Sequence, residues 1–105
     1  MPLPPQLTDE QRRDALAKAA EARRKRAAIK EDLRAGRTNL SSLVERADDE
    51  FVGKLKVSSV LEALPGVGKI RARKIMQRLE ISESRRIRGL GSKQKKALLA
   101  EFGAR

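Results

Sequence analysis

The sequence contains no cysteine, histidine, tryptophan or tyrosine, and its aromatic side chains are two phenylalanines. Without cysteine the chain has no disulfide framework, no thiolate nucleophile and no sulfur ligand for zinc. The lack of histidine removes the commonest general acid–base group and the other usual zinc ligand. We therefore expect a protein that holds no metal or other cofactor and is not an enzyme.

Long apolar runs are also missing. No stretch approaches the roughly 20 apolar residues that a membrane-spanning helix requires. Residues 1–7, MPLPPQL, lack the charged and apolar regions of a signal peptide. We expect a cytoplasmic protein that does not span a membrane. Because aromatic residues are so few, stacking platforms for single-stranded nucleic acid are not expected either.

Charge of one sign is in excess. The 105 residues include 25 Lys and Arg against 14 Asp and Glu, which gives a formal charge of +11. Residues 54–105 hold fourteen basic and four acidic side chains, so nearly all of the excess lies in this half. Such a charge concerns partners rather than fold. Nucleic acid, an anionic membrane and an acidic protein are the candidate partners.

The N-terminal third predicts one long helix. Thr8 and Gln11 have the spacing of a capping box, and Gly36 is a typical residue just past a helix end. The apolar stripe between them is thin, so we expect only Ile29 and Leu33 to dock firmly and the first half to project from the body or be mobile. Residues 1–36 are therefore predicted to form an N-terminal extension with a long basic helix.

Residues 37–105 predict a compact unit of several shorter helices. Asn39 is the expected cap of the second helix, and Ser92 that of the last one. Between them, two apolar stripes repeat at i, i+3, i+4 and i+7, the spacing of a buried helical face: Val57, Val60, Leu61 and Leu64, then Ala72, Ile75, Met76 and Leu79. No strand signal of comparable strength occurs. The predicted class is all-α.

The stretch PGVGK, residues 65–69, joins these two striped helices. Gly66 and Gly68 can adopt positive φ and carry no side chain, so backbone N–H groups can remain exposed there. Together with the positive end of the helix that begins at Lys69, they predict a small anion site suited to a phosphate. The alternative is an ordinary tight turn between helices.

Nucleotide-cofactor motifs fail at this stretch. A P-loop needs glycine at the position of Ala63 and a hydroxyl residue at the position of Ile70. A dinucleotide fingerprint needs glycine where Arg71 stands, and a preceding strand. The basic residues Lys69, Arg71, Arg73 and Lys74 follow, with no acidic residue before Arg78. They favour a backbone phosphate of a nucleic acid over an ordinary turn.

A second basic stretch, residues 84–96, reads SRRIRGLGSKQKK. Arg85, Arg86 and Arg88 precede Gly89 and Gly91, which predicts a second glycine turn with exposed amides. Arginine suits phosphate forks and narrow minor grooves. Ile87 and Leu90 are expected to point inward and hold the arginines outward. The alternative is a solubilising loop.

These motifs carry a family resemblance. LPGVGK followed by RRIRGLG and a closing helix resembles the helix–two-turns–helix module of nucleic-acid-binding proteins. With the Thr8-capped helix and GKLKVSSVLEALPGVGK, the chain resembles the actinobacterial type of integration host factor from about Leu3 to Phe102. The resemblance implies a monomeric nucleoid protein that binds double-stranded DNA with little sequence preference. It also implies bending or bridging that organises the chromosome and assists a phage integrase.

The resemblance places one DNA contact on residues 66–69 and another on Arg85, Arg86 and Arg88. Adding the neighbouring basic and loop residues, the predicted DNA-binding set is Lys54, Lys56, Gly66, Val67, Gly68, Lys69, Arg71, Arg73, Lys74, Arg85, Arg86, Arg88, Gly89, Gly91, Ser92 and Lys93. The basic run RRKR at residues 23–26 is either a solvated helix face or an auxiliary contact.

Two other functions use the same module. Small-subunit ribosomal proteins bind RNA with it, but generally carry long basic tails, whereas this sequence ends three residues after Phe102. Formamidopyrimidine-type DNA glycosylases use an N-terminal proline amine followed by a catalytic glutamate, but Leu3 follows Pro2 here. Their zinc-finger cysteines are missing as well. The RNA-binding alternative is the stronger of the two.

Overall fold

A computed structural model describes residues 8–102, which form five α-helices and one short 3-10 helix. Over this range no strand is present; Lys56 and Arg86 form one isolated antiparallel bridge. The all-α prediction is confirmed. The predicted lead-in at residues 1–7 lies outside the described residues. The elements are α1 (Asp9–Ala35), α2 (Leu40–Glu45), α3 (Val57–Ala63), α4 (Gly68–Arg78), the 3-10 helix (Ile87–Gly89) and α5 (Ser92–Phe102).

Both predicted ends of α1 are confirmed. The Gln11 backbone N–H donates to Thr8 Oγ1 at 3.1 Å, and the Thr8 N–H donates to Gln11 Oε1 at 3.0 Å. This capping box satisfies two backbone donors that the helix leaves open. At the other end Gly36 has φ 78°, a left-handed conformation that glycine adopts without side-chain strain.

Only the C-terminal part of α1 docks on the rest of the molecule. Residues 9–19 are exposed, and Leu16 keeps 64% of its surface accessible. Leu33 is buried in the core, and Ile29 packs against it while partly buried. The predicted projection is confirmed for residues 9–17, where the apolar stripe is too thin to require a cover, whereas Lys18 and Ala22 line a groove with Phe51.

The core lies beneath α3 and α4, which form an antiparallel helical hairpin. Val57, Val60 and Leu61 of α3 are fully buried, as are Ala72 and Met76 of α4. The two predicted stripes are thus confirmed, and only Leu79, at the end of the second, is no more than partly buried. This packing fixes the turn between the helices, residues 64–67.

The loop between α2 and α3 turns sharply at Asp49 and Gly53. Asp49 Oδ1 accepts hydrogen bonds from the backbone N–H groups of Val52 at 3.0 Å and Phe51 at 2.9 Å, and these bonds lower the pKa of Asp49. Gly53 is buried, and a Cβ built there would lie 2.3 Å from the Ala47 carbonyl oxygen. No other residue type fits at Gly53 without moving the backbone.

Candidate nucleic-acid interface

The turn between α3 and α4 has the backbone that its glycines predict. Gly66 has φ 77° and Gly68 has φ 69°, both in the left-handed region. A Cβ built at either position would meet no atom within 4 Å, so the turn is open on its outer side. Helix α4 begins at Gly68, one residue earlier than the expected start at Lys69. We call residues 66–69 the hairpin tip.

The hairpin tip presents unpaired backbone donors. Among residues 8–102, no hydrogen bond runs from the N–H groups of Gly66, Gly68 or Lys69 to another group of the protein. The Val67 N–H, in contrast, donates to the Leu64 carbonyl at 3.2 Å. Exposed N–H groups at the first turn of a helix attract an anion. The hairpin tip is therefore a candidate phosphate site.

The side chain of Val67 faces the core, whereas those of Arg71 and Lys74 lie beside the hairpin tip. The Val67 side chain is buried in the core and its N–H is bonded to the Leu64 carbonyl, so Val67 offers no free donor to a phosphate. Arg71 Nη1 donates to the Gly66 carbonyl at 3.5 Å, and Arg71 and Lys74 line the same shallow depression as Gly68. These two side chains add positive charge beside the free amides.

Arg73 points to the other side of α4. Its Nε lies 3.3 Å from Glu83 Oε1, an ion pair whose side chains are 63% and 70% exposed. Arg73 also lines a groove of about 230 Å³ with Lys69 and Lys56. The predicted contact of Arg73 with a phosphate stays a prediction, because an ion pair this exposed contributes little and leaves the guanidinium accessible.

The second basic stretch is tied to the chain around Lys54 and Lys56. The Arg88 N–H donates to the Gly53 carbonyl at 3.0 Å, and the Ile87 N–H donates to the Leu55 carbonyl at 2.9 Å. These bonds bring Lys54 and Lys56 beside residues 85–88, about thirty positions further along the sequence. We call this set, Lys54, Lys56, Arg85, Arg86 and Arg88, the arginine loop surface.

The arginines of this surface are exposed, and main-chain carbonyls orient two of them. Arg85 Nη1 donates to the Gly89 carbonyl at 3.0 Å, and Arg86 Nη1 donates to the Lys54 carbonyl. Arg88 Nε lies 3.0 Å from the position of a Cβ built on Gly53. A guanidinium has five N–H donors, so each can hold a carbonyl and still present donors to a phosphate. The inward positions of Ile87 and Leu90 are confirmed, since both are buried.

The predicted second glycine turn is wrong. Gly89 and Gly91 do not have positive φ, and Gly89 lies in the 3-10 helix. Their amides are occupied, because the Gly89 N–H donates to the Arg86 carbonyl at 2.9 Å and the Gly91 N–H to Gln94 Oε1 at 3.0 Å. The glycine amides are thus unavailable to a phosphate here, and the candidate contacts are the arginine side chains.

Ser92 and Lys93 begin the last helix beside this loop and are exposed. The Lys95 N–H bonds to the Gly91 carbonyl at 2.9 Å, which places Gly91 in the cap position and Ser92 one residue inside the helix. The expected Ser92 cap is corrected accordingly. Gln94 Oε1 accepts from the Gly91 N–H, which is the half of a capping box that needs no hydroxyl at the cap position.

Metal ligands and membrane-spanning elements are not found in the described part of the chain. Over residues 8–102, no group of three or more acidic side chains is placed to hold a metal ion. None of the helices in this range is both long and apolar enough to cross a bilayer.

Comparison with known proteins gives a consistent set of relatives. A family model described as an S13-like H2TH domain matches residues 33–102. A protein named integration host factor from Mycobacterium tuberculosis is 58% identical over 101 residues, covering 95% of this chain and 96% of that protein. Its namesake from Streptomyces coelicolor is 54% identical over 105 residues, covering 99% and 97%.

A third protein of this name, from Mycolicibacterium smegmatis, is 59% identical over 99 residues, with 93% and 94% covered. Among solved structures, that of sIHF bound to an 8-bp palindromic DNA superposes with a TM-score of 0.79. It is 53% identical to this chain and covers 83% of it and 99% of its own length.

Proposed function

Since this chain belongs to the integration host factor family, with an S13-like H2TH domain over residues 33–102, we propose that it is an architectural protein of double-stranded DNA. It binds duplexes with little sequence preference, bends or bridges them, and so organises the chromosome in the nucleoid. Assistance to a phage integrase is part of this proposal. A relative 53% identical to it has been solved bound to DNA, which supports the choice of ligand.

The observation that carries the proposal is the pairing of two unlike phosphate-binding arrangements in one small module. The hairpin tip offers unpaired amides at a helix start. The arginine loop surface offers guanidinium groups held by main-chain carbonyls. Both suit anionic oxygens, and the groove that contains Lys56 and Lys69 adjoins both. A duplex presents phosphates at regular spacing, so contact at two places can hold or bend it.

Weak sequence preference follows from the kind of contact. Amide and guanidinium contacts to phosphate oxygens fix position on a duplex but carry no base information. Base reading needs side chains that reach base edges in a groove. The candidate donors described above are backbone amides and basic side chains, and three of these side chains, Arg71, Arg85 and Arg86, are engaged with main-chain carbonyls. Affinity should therefore depend on salt more than on sequence.

We assign the contacts residue by residue. At the hairpin tip Gly66, Gly68 and Lys69 donate backbone hydrogen bonds, and Arg71 and Lys74 add charge. At the arginine loop surface Arg85, Arg86 and Arg88 bind phosphates, supported by Lys54 and Lys56. Six further residues lie beside these contacts and help to position them: Val67, Arg73, Gly89, Gly91, Ser92 and Lys93.

The proposed protein is a monomer with no catalytic step and no cofactor. Residues 1–36 form an extension in this proposal, and residues 37–105 form the DNA-binding domain. Leu33 belongs to the core of the second unit although it lies in the first, so the long helix is anchored to the domain at its end.

RNA binding is the second candidate. The family model is described as S13-like, and the same donors can hold RNA phosphates. The relatives named integration host factor and the DNA-bound structure do not favour it. Duplex RNA differs from duplex DNA in its groove shape and its 2′-hydroxyls. Direct competition between the two duplexes therefore separates the candidates.

The test is a fluorescence anisotropy titration of several random-sequence DNA duplexes, a matched RNA duplex and single-stranded DNA. We expect similar affinities among the DNA duplexes and weaker binding of RNA and single strands. Equal or tighter RNA binding would replace the proposal with the RNA alternative. Large differences among the DNA sequences would contradict the sequence-tolerant mechanism.

A further inference from the structure

Ile70 is an apolar side chain that the fold does not use. It is 74% exposed, and Leu16 is the one other large hydrophobic residue that is exposed within residues 8–102. The buried side of α4 is formed by Ala72, Ile75 and Met76. Ile70 lies off that stripe, in the first turn of the helix. A polar residue at position 70 would leave the packing of the core unchanged.

The surroundings of Ile70 are those of a polyanion site. It lies between Lys69 and Arg71 and lines a shallow depression whose other members are Val67, Gly68, Lys69, Arg71 and Lys74. No acidic residue is among them. The unpaired amides of Gly68 and Lys69 are its immediate neighbours. A phosphate bound by these amides would therefore lie next to an exposed aliphatic side chain.

The chemistry of a nucleic acid next to a phosphate decides what Ile70 can touch. Each phosphate is flanked by two sugars, and a deoxyribose presents carbon atoms without a 2′-hydroxyl. Contact with Ile70 removes apolar surface of both groups from water. A ribose in the same place would bring a 2′-hydroxyl against the aliphatic side chain, where it loses water without gaining a partner.

We propose that Ile70 packs on the deoxyribose beside the phosphate held at the hairpin tip, and that this contact favours DNA over RNA. The inference rests on the proposed function. It adds a residue that discriminates DNA from RNA to contacts that otherwise recognise only the charge of a phosphate. Charge complementarity selects the occupant, because cationic residues flank Ile70 on both sides and a duplex supplies phosphates together with apolar sugar carbons.

The experiment measures anisotropy titrations of one DNA duplex and the RNA duplex of the same sequence, across a salt series. The proteins are the wild type, Ile70→Ala and, as a matched control, Leu16→Ala, which removes another exposed aliphatic side chain. We expect Ile70→Ala to weaken DNA binding by about three- to tenfold. The salt slope should stay unchanged, because the same number of phosphates is neutralised. RNA affinity should change much less, and Leu16→Ala should match the wild type.

Three outcomes would overturn the inference: DNA affinity of Ile70→Ala equal to that of the wild type, a parallel decrease for DNA and RNA, or a reduced salt slope, which would show that the hairpin tip itself had changed. Circular dichroism checks that the variant folds, and unfolding would show a structural role for Ile70 instead. If wild-type protein binds neither duplex in a salt-dependent manner, the proposed function fails first, and the two failures are distinguishable.

Discussion

The hairpin tip and the arginine loop surface look alike in sequence and differ in how they are built. Each combines glycines with basic residues before a helix, at residues 66–69 and 85–91. In the first, the glycines have positive φ and leave amides unpaired. In the second, Gly89 and Gly91 have ordinary φ, and both amides are already bonded within the protein.

The difference lies in what each region presents to an anion. The hairpin tip presents main chain, and its geometry depends on residues without a Cβ. The arginine loop surface presents guanidinium groups, oriented by carbonyls of Gly89 and Lys54. One arrangement should be sensitive to glycine substitution and the other to the removal of arginine. If glycine substitution weakened the arginine loop surface, or arginine removal the hairpin tip, the two regions would not differ in this way.

The largest effect is expected when Arg85, Arg86 and Arg88 are all replaced by Ala. Charge-assisted hydrogen bonds to phosphate disappear at three positions, so duplex affinity should fall by about a hundredfold or more. Helicity should be retained, since Ile87 and Leu90 still anchor the loop. The measurement is anisotropy at fixed salt, with circular dichroism as the folding check.

Replacing the same three arginines by Lys provides the matched control for this variant. Lys keeps the charge but does not have the planar fork. Affinity between those of the wild type and the Ala variant is expected. If the Ala variant bound DNA with wild-type affinity, the arginine loop surface would not be a DNA contact.

Gly68→Val should have the next largest effect on binding. Positive φ is strained for a β-branched residue, and the new side chain would stand on the open side of the hairpin tip. Duplex affinity should fall by about tenfold or more, which corresponds to at least about 1.4 kcal/mol. Gly89→Ala is the matched control. Its φ is ordinary, and the nearest atom to the new Cβ is the flexible Arg85 Cδ at 3.2 Å, so little change is expected.

Gly53 supports the arginine loop surface, because its carbonyl accepts from the Arg88 N–H. Gly53→Ala tests this support through the stability of the protein. The added Cβ would lie 2.3 Å from the Ala47 carbonyl, so the loop must shift. We expect the free energy of unfolding to drop by about 1–3 kcal/mol, as for other overpacked sites. Thermal unfolding measures it. Gly91→Ala is the matched control, because its φ is also ordinary and the nearest atom to the new Cβ is Gln94 Oε1 at 3.7 Å, so little change in stability is expected. A Gly53→Ala protein as stable as the wild type would show that the close approach to Ala47 does not constrain the loop.

The smallest effect, and one of opposite sign, is expected for Glu83→Gln. It frees Arg73 from an exposed ion pair of 3.3 Å, and such pairs contribute about 0–1 kcal/mol. Duplex affinity should rise by about two- to threefold as Arg73 becomes available to a phosphate. Glu31→Gln is the matched control, because it breaks a similarly exposed pair with Arg34 on α1. An equal gain in both variants would reflect net charge alone.

The features that the sequence predicts correctly are those that local chemistry determines. The capping box of Thr8, the positive φ of Gly66 and Gly68, and the buried stripes of α3 and α4 all follow from short-range patterns. The prediction of a second glycine turn is wrong because glycine and arginine spacing alone does not show which amides are bonded. That depends on Gln94, a side chain in the following helix.

Two other features depend on contacts between distant parts of the chain. No local pattern indicates that Arg73 faces Glu83 or that residues 85–88 bond to the segment at 53–57. No local pattern shows that Gly53 is buried against the Ala47 carbonyl, which makes a glycine necessary there. The sequence likewise does not show that Ile70 is exposed, since an isoleucine in a helix is ordinarily counted with the core.

In the proposed mechanism two differently built surfaces, the hairpin tip and the arginine loop surface, each bind DNA phosphates. The most direct measurement is the slope of log K against log salt for the wild type, Gly68→Val, the triple Ala variant of Arg85, Arg86 and Arg88, and the two combined. We predict a slope shallower by about 2.7 for the triple variant, at about 0.9 for each phosphate that is no longer neutralised. Gly68→Val should change the slope less, because backbone amides carry no net charge, and the losses of binding free energy should add in the combined protein. A combined protein that binds as well as the triple variant alone, with the same slope, would contradict this mechanism.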